Sequence, residues 1–151
     1  MNTSAKTKLA EFTVDANWAG DMMSGGGQLN APDLNSPISV PTKLGGPGNA
    51  TNPEELLAAA SSSCALITAV AILQFHGVPA MPVSCRTTTE FEQTPNGPKA
   101  VSVTHNIELD SVPDQIGLEK LAQMVEGGCM VSQAMRGNVE TKAQVKIRET
   151  V

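Results

Sequence analysis

Three cysteines, at positions 64, 85 and 129, carry the most reactive side chains of this sequence. A thiolate is a nucleophile, and two thiols that meet can be oxidised to a disulfide. The count is odd and no CxxC pair is present, so the cysteines do not indicate a secreted disulfide framework. The first question is therefore whether any of the three is a reactive thiol.

Each cysteine has a different local setting. Cys64 falls about three turns into a predicted helix, where the helix dipole no longer lowers a thiol pKa. A reactive Cys64 would need a neighbouring cation or hydrogen-bond donor; otherwise it packs as a small apolar residue. Cys129 begins a short predicted helix, which suits a stabilised thiolate, but Met130 and Val131 beside it suit packing equally. Cys85 is interpreted as filler in a strand, and the roles of the other two stay open.

The remaining residues do not indicate a bound metal or cofactor. His76 and His105 are interpreted as structural, because one ends a helix and the other lies on an apolar strand face. Three cysteines and two histidines without short-range spacing do not predict a zinc site. The sequence lacks a phosphate loop, a dinucleotide fingerprint and a nucleophile elbow. We therefore expect no cofactor.

Composition narrows the class of protein further. The 151 residues carry 10 basic and 15 acidic side chains, a net charge of -5. That balance, with three Phe, one Trp and no Tyr, argues against nucleic-acid binding. The first residues lack the apolar core of a signal peptide. We expect a single domain over 1–151 in the cytoplasm.

A long helix is predicted from Pro53 to His76. Asn52 suits the N-cap, Pro53 suits the first helical position, and Glu54 and Glu55 suit the positive end of the dipole. The stretch from 56 to 75 is uncharged and about long enough to span a bilayer. Serines dilute its apolarity and no Trp or Tyr belt flanks it, so we expect no membrane span. A helix that is apolar on nearly all sides also suits a protein core or a dimer.

The remaining segments predict an α+β fold. Apolar residues alternate from Phe12 onward, around Ile38 and Val40, and over 82–94, 100–110 and 139–147, which indicates strands. Pro37 and Pro41 indicate an edge strand. Two further helices are predicted, over 114–128 and 129–138.

Two motifs together resemble the OsmC/Ohr family. These are "TNPEELLAAASSSC" (Thr51–Cys64) and "GGCMVSQAMRGNVE" (Gly127–Glu140). Members of this family are thiol-dependent peroxidases that reduce organic hydroperoxides. The resemblance implies an intertwined homodimer, with two long central helices wrapped by antiparallel sheets.

The resemblance also implies roles for three residues. Cys64 is the peroxidatic thiol that becomes a sulfenic acid, and Cys129 is the resolving thiol that forms a disulfide with it. Glu54 orients an arginine beside the reactive sulfur. A dithiol reductant of the dihydrolipoyl or thioredoxin type restores both thiols. Glu54 and Cys64 would lie about 15 Å apart along one straight helix. Either the helix breaks near Ala58–Ala60, or another group bridges them, or Glu54 serves the partner's site.

One departure from the family pattern is the arginine itself. The family places it near the glycine turn of the N-terminal strands, where this chain has Met22 and Met23. The arginines present are Arg86, Arg136 and Arg148; Arg136 follows the second cysteine motif and could approach Cys64 from another side. The alternative hypothesis is therefore an OsmC-fold protein without peroxidase activity, which binds a small apolar ligand or senses redox state.

Overall fold

The computed structural model describes residues 6–150. The chain divides into two compact units, one ending at Pro53 and the other beginning at Glu54. A single domain over 1–151 stays a prediction.

The N-terminal unit is a three-stranded antiparallel sheet in the order β1-β2-β3. A 3-10 helix follows at Thr42–Leu44, and Ile38 forms an isolated parallel bridge with Thr51. The edge position expected for the proline-containing strand is confirmed, although that strand ends at Ile38. The three strands are β1 (Asp15–Ala19), β2 (Gly26–Ala31) and β3 (Leu34–Ile38).

The first strand begins later than its alternation predicts. Phe12 and Val14 precede β1 and are exposed, whereas Asp15 pairs with Asn30. Continuing that register would place Val14 opposite Ala31, the last residue of β2. The chain then turns into β3, so the segment before Asp15 has no strand to pair with.

The C-terminal unit holds the long helix and a second sheet, and the α+β class is confirmed. Three helices and three strands follow in the predicted order. They are α1 (Pro53–Phe75), β4 (Val83–Thr94), β5 (Gly97–Leu109), α2 (Leu118–Gly128), α3 (Met130–Met135) and β6 (Glu140–Ile147).

This second sheet has the order β4-β5-β6 and mixes two strand directions. β4 and β5 form an antiparallel hairpin, but β6 runs parallel to β5, with His105 opposite Ala143. The expectation of wholly antiparallel sheets is therefore wrong for this pair. A parallel pair needs a crossover connection, and α2 and α3 supply it.

Helix α1 is continuous from Pro53 to Phe75, so the alternative that the helix breaks near Ala58–Ala60 is wrong. Its buried residues recur every four positions, at Ser61, Ala65, Ala69 and Leu73. This spacing places them in one narrow stripe along the helix. The stripe packs into the core with Ile107 and Leu109 of β5 and with Leu121 and Val125 of α2.

The other faces of α1 carry exposed apolar residues. Ile67 is 68% exposed and Phe75 is 86% exposed. In the described chain, α1 is the one helix whose length and composition would suffice to cross a membrane. One side of α1 is therefore buried in the core, while apolar side chains on its other sides remain exposed.

Helix α2 begins at Leu118 rather than at Asp114. Gly117 occupies the N-cap in an extended conformation, with φ -73° and ψ 155°. Ile116 lies before the helix and is buried with the core. Leu121 and Val125 follow at helical spacing, so the predicted apolar face is retained although the first turn is lost.

Candidate functional site

Cys64 and Cys129 come together in the C-terminal unit, although they lie far apart in sequence. Cys64 is in the middle of α1, and Cys129 joins α2 to α3. The side chain of each cysteine is among the groups that shift the pKa of the other, so the two thiols lie close together. The two sulfurs therefore form one site, and both cysteines are free.

A glycine lies where α1 and α2 pass closely. A Cβ added to Gly128 would lie 3.2 Å from Thr68 Cγ2, which is tight for a carbon contact. Thr68 is one turn beyond Cys64 on α1, and Gly128 directly precedes Cys129. The absence of a side chain at 128 therefore lets the two cysteine-bearing segments approach.

The two thiols differ in their access to solvent. Cys129 is fully buried, whereas Cys64 is partly exposed. A molecule that enters from solvent would meet Cys64 first.

Cys129 is a capping residue for two helices. Its backbone N–H donates to Val125 O at the end of α2, and its sulfur accepts from Ser132 N at 3.5 Å. Burial raises the pKa of Cys129. Hydrogen bonds from the Ser132 side chain, the Cys64 side chain and the backbone N–H groups of Ser132 and Val131 together lower this pKa below its ordinary value.

The pKa of Cys64 is shifted in the opposite direction. Burial raises it, and so does the hydrogen bond with Cys129, although the backbone N–H groups of Val131 and Met130 act against this. Both directions fit a Cys64 S–H that donates to the Cys129 sulfur. The donors that favour a Cys64 thiolate therefore come from the first turn of α3, but they do not offset the effect of burial.

Cations are not among the groups that most shift the pKa of either thiol in the described chain. Arg136 is exposed, and its Nη2 donates to Glu126 O at 3.5 Å. Met22 and Met23 lie in the N-terminal unit, in the loop between β1 and β2. Both methionine side chains are exposed.

Glu54 stands in the first turn of α1, ten residues before Cys64. One carboxylate oxygen, Oε2, is buried and has no hydrogen-bond partner within the described residues. Because α1 is unbroken, its length holds Glu54 away from the sulfurs. The structure therefore joins Cys64 with Cys129 but does not join Glu54 to them.

A second set of polar contacts involves the side chains of His105 on β5 and of Thr87 and Cys85 on β4. His105 Nδ1 is 2.8 Å from Thr87 Oγ1, and Thr87 Oγ1 is 3.6 Å from Cys85 Sγ. Burial lowers the pKa of His105, while the charge of Glu126 raises it to a smaller extent. His105 is buried within the fold, as expected for a structural residue.

Sequence reasoning missed Ser132 as a contact of the site. Its position three residues after Cys129 matches the spacing of a helix capping box. That spacing was the available signal, but a cysteine is an uncommon N-cap. Within residues 6–150, no group of three or more His, Cys, Asp or Glu could hold a metal ion.

The fold and the two neighbouring thiols define an α+β protein with a paired-cysteine site. The family model for OsmC-like proteins matches residues 46–144, which include both cysteines. This chain belongs to the OsmC-like family, and the resemblance in its two motifs is confirmed.

Individual relatives match over most of the chain. The uncharacterized protein YmaD of Bacillus subtilis is 30% identical over 146 residues, covering 91% of this chain and 94% of YmaD. The structure of an organic hydroperoxide resistance protein OsmC from Legionella pneumophila is 27% identical, with a TM-score of 0.74, covering 91% of this chain and 98% of that one. The organic hydroperoxide resistance protein OhrB of Bacillus subtilis shares the fold at 22% identity and a TM-score of 0.68, covering 89% and 98%.

Proposed function

We propose that this protein is a thiol-dependent peroxidase that reduces organic hydroperoxides through Cys64 and Cys129. The observation that carries the proposal is the closeness of a partly exposed thiol to a fully buried one, each of which shifts the pKa of the other. The likeness to proteins described as organic hydroperoxide resistance proteins supports the substrate class.

The reaction begins at Cys64. Its thiolate attacks the distal oxygen of the hydroperoxide, the O–O bond breaks, and the alkoxide leaves as an alcohol after taking up a proton. Cys64 becomes a sulfenic acid. The thiolate of Cys129 then attacks this sulfur, an S–S bond forms, and the hydroxide leaves as water.

An external dithiol completes the cycle. A dihydrolipoyl or thioredoxin-type reductant exchanges with the Cys64–Cys129 disulfide and restores both thiols, while its own thiols become a disulfide. No metal or bound cofactor is needed in this sequence of steps. The partial exposure of Cys64 supports attack by the reductant at that sulfur.

Glu54 and a second copy of the chain complete the proposal. The unpaired buried oxygen of Glu54 leaves an acceptor for a cationic or hydroxyl group beyond those of the described chain. The exposed apolar face of α1 supports an intertwined homodimer, in which two such helices cover one another. Glu54 would then serve the site through a group outside its own C-terminal unit.

Cysteine replacement tests the proposal. With cumene hydroperoxide and dihydrolipoamide, Cys64→Ser abolishes peroxide consumption. Cys129→Ser stops turnover but still accumulates oxidised Cys64 after one equivalent of peroxide. Cys85→Ser is the matched control and retains wild-type consumption. Equal consumption by wild type and Cys64→Ser would contradict the proposal.

In the described chain no cation is among the groups that most shift the pKa of Cys64, which favours a second candidate, a thiol sensor or a ligand-binding protein on the same fold. Mass spectrometry after one equivalent of hydroperoxide, with and without the dithiol, separates the candidates. A peroxidase gives a Cys64–Cys129 disulfide that the dithiol reduces over repeated turnovers. A sensor gives the same disulfide once, without sustained consumption, and a ligand-binding protein gives none.

A further inference from the structure

A half-buried carboxylate near the end of α2 contacts the edge of the second sheet. Glu126 Oε1 accepts a hydrogen bond from the backbone N–H of Ala143 at 2.6 Å. Ala143 lies on β6, which forms one edge of the sheet β4-β5-β6 in the described chain. Ala143 is buried, and a buried N–H without an acceptor is costly. The side chain of Glu126 therefore ties α2 to β6.

We propose that Glu126 is a positioning residue, whose hydrogen bond to Ala143 fixes the end of α2 on the sheet and so holds Cys129 close to Cys64. This inference rests on the peroxidase function proposed above. Glu126 touches neither the hydroperoxide nor the two sulfurs in this role. It acts through the backbone of α2, three residues before Cys129.

The physical reason is the difference between apolar packing and a hydrogen bond. Leu121 and Val125 of α2 are buried in the same apolar cluster as Ile107 and Ala143 of the sheet. Burial of apolar surface is non-directional, so it holds α2 against the sheet without fixing the rotation of the helix or its position along its axis. A hydrogen bond is restricted in both distance and angle. The bond from Ala143 to Glu126 therefore supplies an alignment that the apolar core leaves open.

This alignment reaches Cys129 through a short corner that is tied on both sides. Cys129 alone separates α2 from α3. Gln133 Nε2 donates to Gly127 O at 2.7 Å. Arg136 Nη2, just after α3, donates to Glu126 O at 3.5 Å. Because two side chains bond back to the last turn of α2, a displacement of that turn moves the corner and Cys129 with it.

The position of α2 matters because the helix passes close to α1 at the same end. A Cβ added to Gly128 would lie 3.2 Å from Thr68 Cγ2. Thr68 is one turn beyond Cys64, and Gly128 directly precedes Cys129. A small shift of α2 along or around its axis therefore changes the separation of the two sulfurs.

Disulfide closure is the step that depends on this separation. The thiolate of Cys129 attacks the sulfur of the Cys64 sulfenic acid, and the S–S bond forms as the S–O bond breaks. The departing hydroxide takes up a proton and leaves as water, and the organic hydroperoxide is the oxidant for the pair. The earlier attack of Cys64 on the hydroperoxide does not involve Cys129. Loss of the Glu126 contact should therefore slow closure and leave the oxidation of Cys64 unchanged.

Three substitutions of Glu126 separate the reach of its side chain from its charge. Glu126→Gln keeps the length and an acceptor oxygen but removes the charge. Glu126→Asp keeps the charge but is one methylene too short to reach Ala143 without a shift of α2. Glu126→Met keeps the length without the acceptor. Glu119→Met, at an exposed position in the first turn of α2, is the matched control.

The first measurement needs no hydroperoxide. In a Cys85→Ser background, the Cys64–Cys129 disulfide is equilibrated with glutathione, and each disulfide that forms consumes one glutathione disulfide and releases two glutathione thiols. We expect Glu126→Asp and Glu126→Met to lower this equilibrium constant about tenfold, because small displacements of reacting groups are costly. Glu126→Gln should restore most of the wild-type value, and Glu119→Met should match the wild type.

This equilibrium distinguishes alignment from general stability. A substitution that destabilises the reduced and the oxidised protein equally lowers the midpoint of urea unfolding but leaves the equilibrium constant unchanged. Wild-type equilibrium constants in Glu126→Asp and Glu126→Met would therefore overturn the proposal, and Glu126→Asp decides by the same criterion where Glu126→Met does not fold. A loss in Glu126→Gln as large as that in Glu126→Met would also overturn it, because the charge and not the bond to Ala143 would then be responsible.

The second measurement follows disulfide closure after one equivalent of cumene hydroperoxide, by rapid quenching and mass spectrometry. We expect closure about tenfold slower in Glu126→Asp and Glu126→Met than in the wild type, with the oxidation of Cys64 unchanged. Wild-type closure rates in both variants would contradict the role of Glu126. Absence of any Cys64 oxidation in the wild type would refute the peroxidase function, while the glutathione equilibrium would still decide the role of Glu126.

Discussion

At the scale of single residues, the main consequence concerns the ionisation of Cys64. Burial holds its pKa above the ordinary thiol value, and among residues 6–150 no cation is one of the groups that shift it most. A raised pKa leaves a small thiolate fraction at pH 7. The first oxidation step should therefore be limited by ionisation.

We expect the rate of Cys64 oxidation to increase with pH through the neutral range and past the ordinary thiol pKa of about 8.5. Each pH unit should raise the rate about tenfold until Cys64 is ionised. Single-turnover peroxide consumption against pH, with Cys129→Ser to isolate the first step, measures this. A rate that is constant from pH 6 to pH 9 would contradict it.

His105 gives a second prediction at this scale. Its pKa is lowered in the folded protein, first by burial, so the unfolded chain binds a proton at higher pH. Its stabilising effect is therefore full above the ordinary histidine pKa of about 6.5 and is lost as the pH falls from that value through the lowered pKa of the folded protein. Thr87 of β4, Glu126 of α2 and Ala143 of β6 are its neighbours.

Urea unfolding between pH 8 and pH 5.5 tests this prediction. The wild-type midpoint should fall as the pH decreases, whereas His105→Gln should show a smaller fall from a lower starting stability. His76→Gln, at the end of α1, is the matched histidine variant for comparison. An identical slope in wild type and His105→Gln would exclude this role of His105.

The residues of the site were only partly predictable. The pairing of Cys64 with Cys129 was predicted from the resemblance of two motifs to the OsmC/Ohr family. Local sequence alone was equally consistent with either thiol packing as a small apolar residue. The contact between Ser132 and Cys129 is local, and the three-residue capping spacing was its signal. The Thr87–His105 contact depends on tertiary placement, and nothing in the composition or periodicity near those two residues specifies it.

At the scale of elements, the close approach of α1 and α2 controls the site. Gly128→Val should push α2 away from Thr68 and slow disulfide closure by roughly tenfold, because small displacements of reacting groups are costly. Gly127→Val is the matched control, since a Cβ there meets nothing within 4 Å. The measurement is the disulfide yield over time after one equivalent of hydroperoxide. Equal closure rates in the two variants would contradict the prediction.

The core between α2 and the sheet gives a stability prediction. Leu121 is fully buried in the cluster that includes Val125 and Ile107. Leu121→Ala should lower the free energy of unfolding by about 2–5 kcal/mol, from lost burial and a residual cavity. Urea unfolding measures it, and Lys120→Ala, at an exposed neighbour on α2, should have a much smaller effect.

Element types were predictable and their ends and directions were less so. The capping residues at its start and the uncharged stretch of 56–75 predicted α1 nearly to its last residue. Alternation alone placed the first strand too early, because Phe12 and Val14 have no partner strand. The parallel pairing of β6 with β5 depends on the crossover through α2 and α3, which periodicity does not encode.

At the scale of the whole molecule, α1 exposes an apolar surface. An open groove of about 460 Å³ runs beside it, lined in part by Ile67, Phe75 and Met124. A large exposed apolar patch commonly marks an interface. Together with the family resemblance, this face favours assembly through α1.

We expect the wild type to sediment as a dimer and Ile67→Glu/Phe75→Glu to sediment as a monomer or to lose solubility. Burying two carboxylates at an interface without partners is strongly unfavourable. Gln123→Glu, on the exposed side of α2, is the charge control and should remain dimeric. Sedimentation velocity at several concentrations measures this, and a monomeric wild type would rule out the dimer.

Because the sulfur of Cys129 also caps α3, oxidation and the folding of that short helix are linked. The lowered pKa of Cys129 increases its ionised fraction in the reduced protein, whereas the sulfur of a disulfide carries no charge and is a weaker acceptor for the Ser132 amide. We therefore expect faster hydrogen–deuterium exchange at that amide in the oxidised protein than in the reduced one. The exchange rate at the start of α3 would then report whether the two cysteines are reduced or joined in a disulfide.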